Sequence, residues 1–118
     1  SAILKKMLEQ KTWCVIGSIG KNPICDSLVA KLQSQGKVVH TLNPRAGGLD
    51  TLKSLSPPPD VVNLVVNPSL GPLVVQEMRD SCVGKMLFVQ PGAEFPDMDS
   101  ICARSEIMLF KGCVLVDS

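Results

Sequence analysis

The chain has 118 residues, of which 45% are hydrophobic and 19% are charged, and its formal net charge is +1. These values are typical of one globular domain with a single core, and they exclude a disordered or strongly polyionic chain. With three Phe, one Trp and no Tyr, and without a basic stripe, the sequence has few groups that could stack on or neutralise nucleic acid. We therefore expect no nucleic-acid partner.

The sequence also bears on location and on the state of its cysteines. No apolar run approaches the roughly 18 residues that span a bilayer, and residues 1–10 lack the basic start and apolar core of a signal peptide. We therefore predict a cytoplasmic protein with no membrane partner.

The five cysteines are odd in number, widely spaced and never in a CxxC pair, so we interpret them as reduced, buried small hydrophobes.

The first part of the chain predicts two helices and two strands. Apolar residues at helical spacing predict a short helix within residues 1–10. The run TWCVIGS predicts a buried strand over Thr12–Ser18, because it is rich in β-branched and aromatic residues and stops at glycine. Residues 23–35 carry an apolar stripe that predicts a helix, with Asn22 as its N-cap. The run KVVHTL predicts a second strand over residues 37–42.

The rest of the chain continues this alternation. After the turn-forming run NPRAGG, the pattern predicts a short helical piece at 49–55, a central strand at 60–66, a helix through 70–78, a strand at 85–90, a brief helix at 98–104, a strand at 106–112 and an extended tail, CVLVDS. Apolar strands separated by amphipathic helices imply a parallel sheet covered on both faces. The predicted fold is α/β: a three-layer, Rossmann-like fold with a five-stranded, mainly parallel sheet, in one domain over residues 1–118.

The loop after the first strand, GSIGKN, is a candidate anion site. Ligands of such sheets collect at the carboxyl ends of the strands. Gly17 and Gly20 permit a sharp turn, the free amides at the start of the next helix favour an anion, and Lys21 adds a full charge. Asp26, early in that helix, would repel a second anion. The GxxG spacing matches neither a dinucleotide fingerprint nor a P-loop, so an ordinary strand-to-helix turn remains the alternative.

The loop after the second strand offers a second cation. The planar guanidinium of Arg45 suits a phosphate monoester, and the alternative is a solvated surface arginine. Asn43 and Arg45 stand where an NAD site usually carries an acid, so the residues disfavour NAD and leave NADP or another ribose phosphate open. Asn-Pro pairs follow three strands, beginning at Asn22, Asn43 and Asn67. Their prolines could form a flat wall for adenine, or the pairs could serve as ordinary turns and N-caps.

The sequence contains no recognisable catalytic group. His40, the single histidine, lies in the middle of the second predicted strand, and we interpret it as a hydrogen-bonded core residue. No GxSxG motif, convergent carboxylate pair or metal-binding cluster is present. We therefore predict no catalytic residue and no metal site, and we favour a binding protein over an enzyme.

Five segments carry a family resemblance: KTWCVIGSIGKNP, LVAKLQSQGKVVHTLNPR, PDVVNLVVNP, LFVQPGAE and FKGCVLV. Together they resemble the small stand-alone coenzyme A-binding proteins, which are similar to the amino-terminal domain of the succinyl-CoA ligase alpha subunit. The resemblance implies non-catalytic binding of coenzyme A (CoA) or an acyl-CoA across the strand ends. The rival hypotheses are an NADP-type oxidoreductase domain and an interaction scaffold without a ligand. Neither a protein partner nor an acyl group is indicated.

The resemblance also implies a role for individual positions. By position, Gly17, Ser18, Ile19 and Lys21 would hold the pyrophosphate, Arg45 would approach the phosphorylated ribose, Val66, Asn67 and Pro68 would flank the adenine, and Gln90 and Pro91 would lie towards the pantetheine arm. Gly20, Asn43 and Pro44 complete the predicted site, because they belong to the first and second of these loops.

Overall fold

The computed structural model describes residues 1–46, 48–65 and 67–118, and these form an α/β fold around one sheet. Its strands, all parallel, are β1 (Thr12–Ile16), β2 (Val38–Leu42), β3 (Val61–Leu64), β4 (Met86–Val89) and β5 (Met108–Lys111). The predicted Rossmann-like fold with five parallel strands is confirmed. Each strand is shorter than its predicted run, because regular pairing stops before the loops begin.

Helices alternate with these strands along the chain. They are α1 (Ala2–Leu8), α2 (Pro23–Ser34), α3 (Gly71–Ser81), α4 (Met98–Arg104) and α5 (Val114–Asp117), with short 3-10 helices at Pro44–Ala46, Leu49–Ser54 and Pro68–Leu70. The start of α2 shows why the sequence folds this way: Asn22 caps the helix by accepting from the Ile24 amide, and Pro23 occupies the first turn. No helix in the described part of the chain is long and apolar enough to cross a membrane.

The strand order places a crevice beside β1. The order across the sheet is β2-β1-β3-β4-β5, so the chain moves from β1 to one side for β2 and then to the other side for β3. In sheets of this kind, ligands bind where the strand order reverses, beyond the carboxyl ends of the strands. That point lies between β1 and β3. The prediction that β3 is central is therefore confirmed.

The core lies on both faces of the sheet. One face is covered by α1, α2 and α5, whose buried side chains include Met7, Leu28 and Val114. The other face is covered by the 3-10 helix at 49–54 together with α3 and α4, which bury side chains such as Leu52 and Val75. Burial on both faces explains the near-continuous apolar runs of β1 and β3.

The extended tail predicted for CVLVDS is wrong. Val114–Asp117 form one helical turn, in which the Val114 side chain is fully buried. The Cys113 amide donates to Asp117 Oδ2 at 2.8 Å, and Lys31 Nζ donates to the Leu115 carbonyl oxygen at 2.8 Å. The alternating valines resemble a strand, but the sheet ends at β5, and packing of α5 against α2 therefore decides the local conformation.

The cysteines divide into two groups. All five are free thiols; Cys14, Cys25 and Cys102 are buried as predicted, whereas Cys82 is exposed and Cys113 is half-buried. Cys82 ends α3 in the left-handed conformation, with φ 55°, and Cys113 follows β5 at the carboxyl edge of the sheet. Both therefore lie in connecting segments instead of in core elements. The prediction of burial is wrong for these two.

His40 also departs in part from its prediction. Its Nε2 donates to the Pro57 carbonyl oxygen at 2.8 Å, which confirms the expected hydrogen bond. The side chain is half-buried instead of lying in the core, because β2 is an edge strand of the sheet.

Candidate functional site

The loop from Gly17 to Asn22, called here the first loop, connects β1 to α2. The Gly17 amide donates to the Leu42 carbonyl oxygen at 3.0 Å and so continues the pairing of β1 with β2. The amides of Lys21 and Asn22 both donate to the Ser18 carbonyl oxygen, at 3.1 and 2.9 Å. Most of the amides in this loop are therefore already paired within the protein.

Gly17 is needed for packing. A Cβ atom on this residue would lie 2.6 Å from Cys25 Sγ and 3.2 Å from Val65 Cβ. The missing side chain therefore lets α2 and the segment after β3 approach the end of β1. Desolvation by burial raises the pKa of the Cys25 thiol, and a hydrogen bond from the Ser18 backbone offsets only part of this rise.

Gly20 carries the one amide in the first loop that meets a charged group. It has φ +81°, and a Cβ atom there would meet nothing within 4 Å. Its amide donates to Asp26 Oδ1 at 3.1 Å. The anionic oxygen that the Gly20 amide binds in this structure therefore belongs to the protein's own helix α2, and the binding of a ligand's phosphate by this loop stays a prediction.

The Asn-Pro pairs share one local geometry. Asn22, Asn43 and Asn67 each use Oδ1 to accept from the amide two residues further along the chain. The donors are the amides of Ile24, Arg45 and Ser69, at 2.9, 3.1 and 3.0 Å. This is the turn and N-cap usage that the sequence left open as an alternative to an adenine wall.

Two exposed cations stand near the carboxyl edge of the sheet. Lys21 lies in the first loop, and Arg45 lies in the 3-10 helix after β2; both are exposed. Neither makes an ion pair with another residue that the structure describes. Both charges therefore have no ion-pair partner within the described part of the chain.

A cavity of about 340 Å³ lies at this edge, beyond the ends of β1, β3, β4 and β5. It adjoins the point where the strand order reverses, and its walls are mainly apolar. Three of its lining residues, Asn67, Gln90 and Pro91, are predicted site residues. The others are Asn22, Ile24, Val65, Gly92, Ala93, Cys113 and Leu115.

Gln90 is a buried residue in the wall of this cavity, and its side chain connects two of the loops that line it. Only 3% of the residue is exposed. Its Oε1 accepts from the Val114 amide at 2.8 Å, and its Nε2 donates to Cys113 Sγ at 3.3 Å. The side chain therefore ties the end of β4 to the start of α5 and holds a thiol in the cavity wall.

The loop after β4 carries a carboxylate, Glu94, which follows the lining residues Gly92 and Ala93 in sequence. The Gly92 amide donates to Glu94 Oε1 at 2.5 Å. Hydrogen bonds from Glu94's own amide and from the Gly92 amide lower the pKa of this carboxyl. Like Gly20 in the first loop, Gly92 thus presents its amide to an acid of the protein itself.

The structure brings only some of the predicted site residues together around the cavity. Asn67, Gln90 and Pro91 line it. The remaining predicted residues lie in the loops after β1, β2 and β3 without lining it, and their roles stay predictions: Gly17, Ser18, Ile19, Gly20, Lys21, Asn43, Pro44, Arg45 and Pro68. Val66 lies outside the described residues.

Sequence reasoning missed the contribution of the fifth strand. Cys113 and Leu115 line the cavity from the segment after β5. The rule that ligands collect at the carboxyl ends of parallel strands applies to this segment as well. The signal was therefore present in the strand order, although no motif marks the two residues.

Comparisons with known proteins agree with this architecture. A solved hypothetical protein from Pyrococcus horikoshii OT3 superposes with a TM-score of 0.82 at 14% identity, covering 98% of this chain and 87% of its own. A conserved hypothetical protein from Pyrococcus furiosus gives 0.73 at 19% identity, covering 92% of this chain and 100% of its own. At such identities these two neighbours support the fold alone.

The comparison with curated proteins gives no match. The family model described as "CoA binding domain", however, matches residues 11–118. This range contains all five strands and every residue that lines the cavity. The chain therefore belongs to the family of CoA-binding domains.

Proposed function

We propose that this protein binds CoA or an acyl-CoA at the carboxyl edge of its sheet and does not itself catalyse a reaction of it. The cavity lined by Asn67, Gln90 and Pro91 is the observation on which the proposal rests. It adjoins the reversal of strand order, where such sheets bind their ligands, and membership of the family supports the same ligand.

The chemistry of this edge suits the separate parts of CoA. The apolar walls of the cavity, which include Ile24 and Val65, match the adenine or the pantetheine arm. Lys21 and Arg45 are exposed cations that could meet the phosphates. The Gly20 amide already binds a carboxylate oxygen, so the loop has a donor suited to a phosphate oxygen once Asp26 is displaced.

The composition of the cavity supports binding without catalysis. The described residues that line it include no carboxylate, histidine, lysine or arginine, and their one titratable side chain is the Cys113 thiol, which Gln90 Nε2 contacts at 3.3 Å. General acid-base catalysis uses a titratable side chain, most often His, Glu, Asp or Lys, within hydrogen-bonding reach of the reacting group. His40, the single histidine, lies in β2 and is hydrogen-bonded to Pro57.

A specific observation favours one rival. The contact between Gly20 and Asp26 fills the anion position of the first loop with a side chain of the protein. An interaction scaffold that has lost its ligand would retain such a contact. This rival predicts that the protein binds no nucleotide.

Thermal unfolding with a matched series of nucleotides tests the proposal. CoA should raise the melting temperature, because a ligand present at 100 times its Kd stabilises the folded state by about 2.7 kcal/mol. NADP at the same concentration should leave it unchanged. A rise with NADP but not with CoA would support the dinucleotide hypothesis instead. No rise with either at millimolar concentration would support the scaffold.

A further inference from the structure

Three carboxamide side chains line the cavity, and the oxygen of each is already hydrogen-bonded. These oxygens accept from backbone amides at 2.8 to 3.0 Å: Asn22 Oδ1 from Ile24, Asn67 Oδ1 from Ser69 and Gln90 Oε1 from Val114. Gln90 Nε2 is taken up by Cys113 Sγ. Among the described residues, the Nδ2 groups of Asn22 and Asn67 have no acceptor. The carboxamides of this cavity therefore offer a ligand N–H donors and no free oxygen.

The cavity also lacks a cation that could receive a carboxylate. Neither a lysine nor an arginine is among the described residues that line it. Lys21 lies just before the lining segment of α2, at the loop that the proposed function assigns to the phosphates. Lys111 lies at the end of β5, and its Nζ is 3.2 Å from Asp99 Oδ2. The loop after β4 instead adds the negative charge of Glu94.

The strand order indicates which part of CoA meets this cavity. Lys21 follows β1 and Arg45 follows β2, whereas the cavity extends to the ends of β4 and β5. In the order β2-β1-β3-β4-β5, strands lie about 4.8 Å apart, so β5 is roughly 14 Å from β1. In CoA the pantetheine arm separates the phosphates from the thiol. With the phosphates at the two cations, the arm runs towards β4 and β5, and the thiol end enters the cavity.

We propose that this cavity selects acyl-CoA thioesters with an apolar, uncharged acyl group and discriminates against acyl groups that carry a carboxylate. This inference rests on the proposed function, since the site must first hold the thiol end of CoA. The apolar walls, among them Val65 and Leu115, are the surface for the acyl chain. The Nδ2 groups of Asn22 and Asn67 are the donors available to the carbonyl oxygens of the ligand.

Two physical effects produce the preference. Each methylene group that leaves water for an apolar wall strengthens binding by up to about fourfold. A carboxylate at the end of the chain must instead give up part of its hydration among apolar groups without gaining a cation. Butyryl-CoA and succinyl-CoA form a matched pair, because their acyl groups have the same number of carbon atoms and differ in a terminal methyl or carboxylate.

Titration calorimetry of the wild-type chain with CoA, butyryl-CoA and succinyl-CoA tests the inference. We expect butyryl-CoA to bind about tenfold more tightly than succinyl-CoA, and more tightly than CoA itself. Mass spectrometry of each ligand after the titration verifies that the thioester is intact. Equal binding of the two thioesters, or tighter binding of succinyl-CoA, would overturn the inference. So would butyryl-CoA that binds no better than CoA, and the proposed function would survive that result. If none of the three binds, both fail.

A cation placed in the cavity should weaken the preference. Leu115 lines the cavity and is 38% exposed, whereas the next residue, Val116, is 80% exposed and does not line it. Leu115→Lys and Val116→Lys add the same charge to α5, so the ratio of the butyryl-CoA and succinyl-CoA affinities separates the cavity from net charge. We expect this ratio to fall about fivefold in Leu115→Lys, by about the strength of one hydrogen-bonded ion pair at a partly exposed site, and to stay at the wild-type value in Val116→Lys. An unchanged ratio in Leu115→Lys, or equal changes in both variants, would overturn the inference. The wild-type ratio tests it without either variant.

Discussion

The first loop and the cavity lie at the same edge of the sheet but differ in what fills them. The first loop has the glycines typical of a phosphate site, yet its amides pair with Leu42, Ser18 and Asp26 of the protein itself. The cavity follows no glycine motif and leaves about 340 Å³ open among apolar side chains. A glycine pattern can therefore reflect packing, whereas space for a ligand arises between loops that are distant in sequence.

The two regions also differ in what a ligand must displace. A phosphate at the first loop would have to replace Asp26, which accepts from the Gly20 amide at 3.1 Å. An apolar group in the cavity would displace only water. We therefore expect the cavity to provide most of the binding free energy, and the first loop to act mainly through the charge of Lys21.

The largest effect should be a loss of folding stability when a side chain fills the space beside Gly17. In Gly17→Ala, the new methyl group would overlap Cys25 Sγ, 2.6 Å away, and press on Val65. Overpacking of this kind costs about 1–3 kcal/mol, and urea denaturation should show the loss. Cys25→Ala provides the control: the double variant should lose less than the sum of the single losses, because the clash is gone. Strict additivity would contradict this role of Gly17.

The next effect should come from a charge placed in the cavity. Ile24 lines the cavity and is 51% exposed, so Ile24→Glu should fold normally. Its carboxylate would replace an apolar contact and repel the phosphates. We expect at least tenfold weaker binding of CoA, about 1.4 kcal/mol, by titration calorimetry. Leu73 of α3 is also 51% exposed and does not line the cavity, so Leu73→Glu should bind as wild type does. Equal losses in both variants would remove the cavity from the binding site.

The sequence predicted the fold well because its signals are local. The stripe of α2, with Asn22 and Pro23 at its start, and the apolar runs of the strands depend on neighbouring residues alone. It failed at α5, where burial of Val114 against another helix outweighs an alternating pattern typical of a strand. That contact joins parts of the chain distant in sequence, so no local pattern reports it.

The site was predictable only in part, for the same reason. Asn67, Gln90 and Pro91 were assigned by position through the family resemblance, and they line the cavity, while their roles in binding stay predictions. The pairing of the Gly20 amide with Asp26 depends on how the loop turns back over α2, and the sequence shows only that an acid lies nearby. Likewise, the contact between Gln90 and Cys113 requires the loops after β4 and β5 to be neighbours.

A smaller change in affinity should show whether Arg45 contacts the phosphate on the ribose of CoA. If Arg45 meets the phosphorylated ribose, Arg45→Ala should weaken CoA about fivefold, since an exposed ion pair contributes at most about 1 kcal/mol. Dephospho-CoA should bind the variant and the wild type alike. Titration calorimetry with both ligands measures the difference. Lys53→Ala, which removes another exposed cation, should leave the ratio of the two affinities unchanged. A loss shared equally by both ligands would exclude Arg45 from this role.

The smallest effect should come from removing the charge that occupies the first loop. Asp26→Asn keeps an oxygen that can accept from the Gly20 amide but carries no negative charge, so a phosphate would meet less repulsion there. We expect CoA to bind about two- to threefold more tightly at low ionic strength, and the gain should shrink as salt screens the charges. Asp50→Asn, which removes an exposed acid from the 3-10 helix at 49–54, is the matched control and should change affinity less. Weaker binding by Asp26→Asn would mean that the carboxylate supports the loop in its binding conformation, and that the phosphates approach the protein without displacing it.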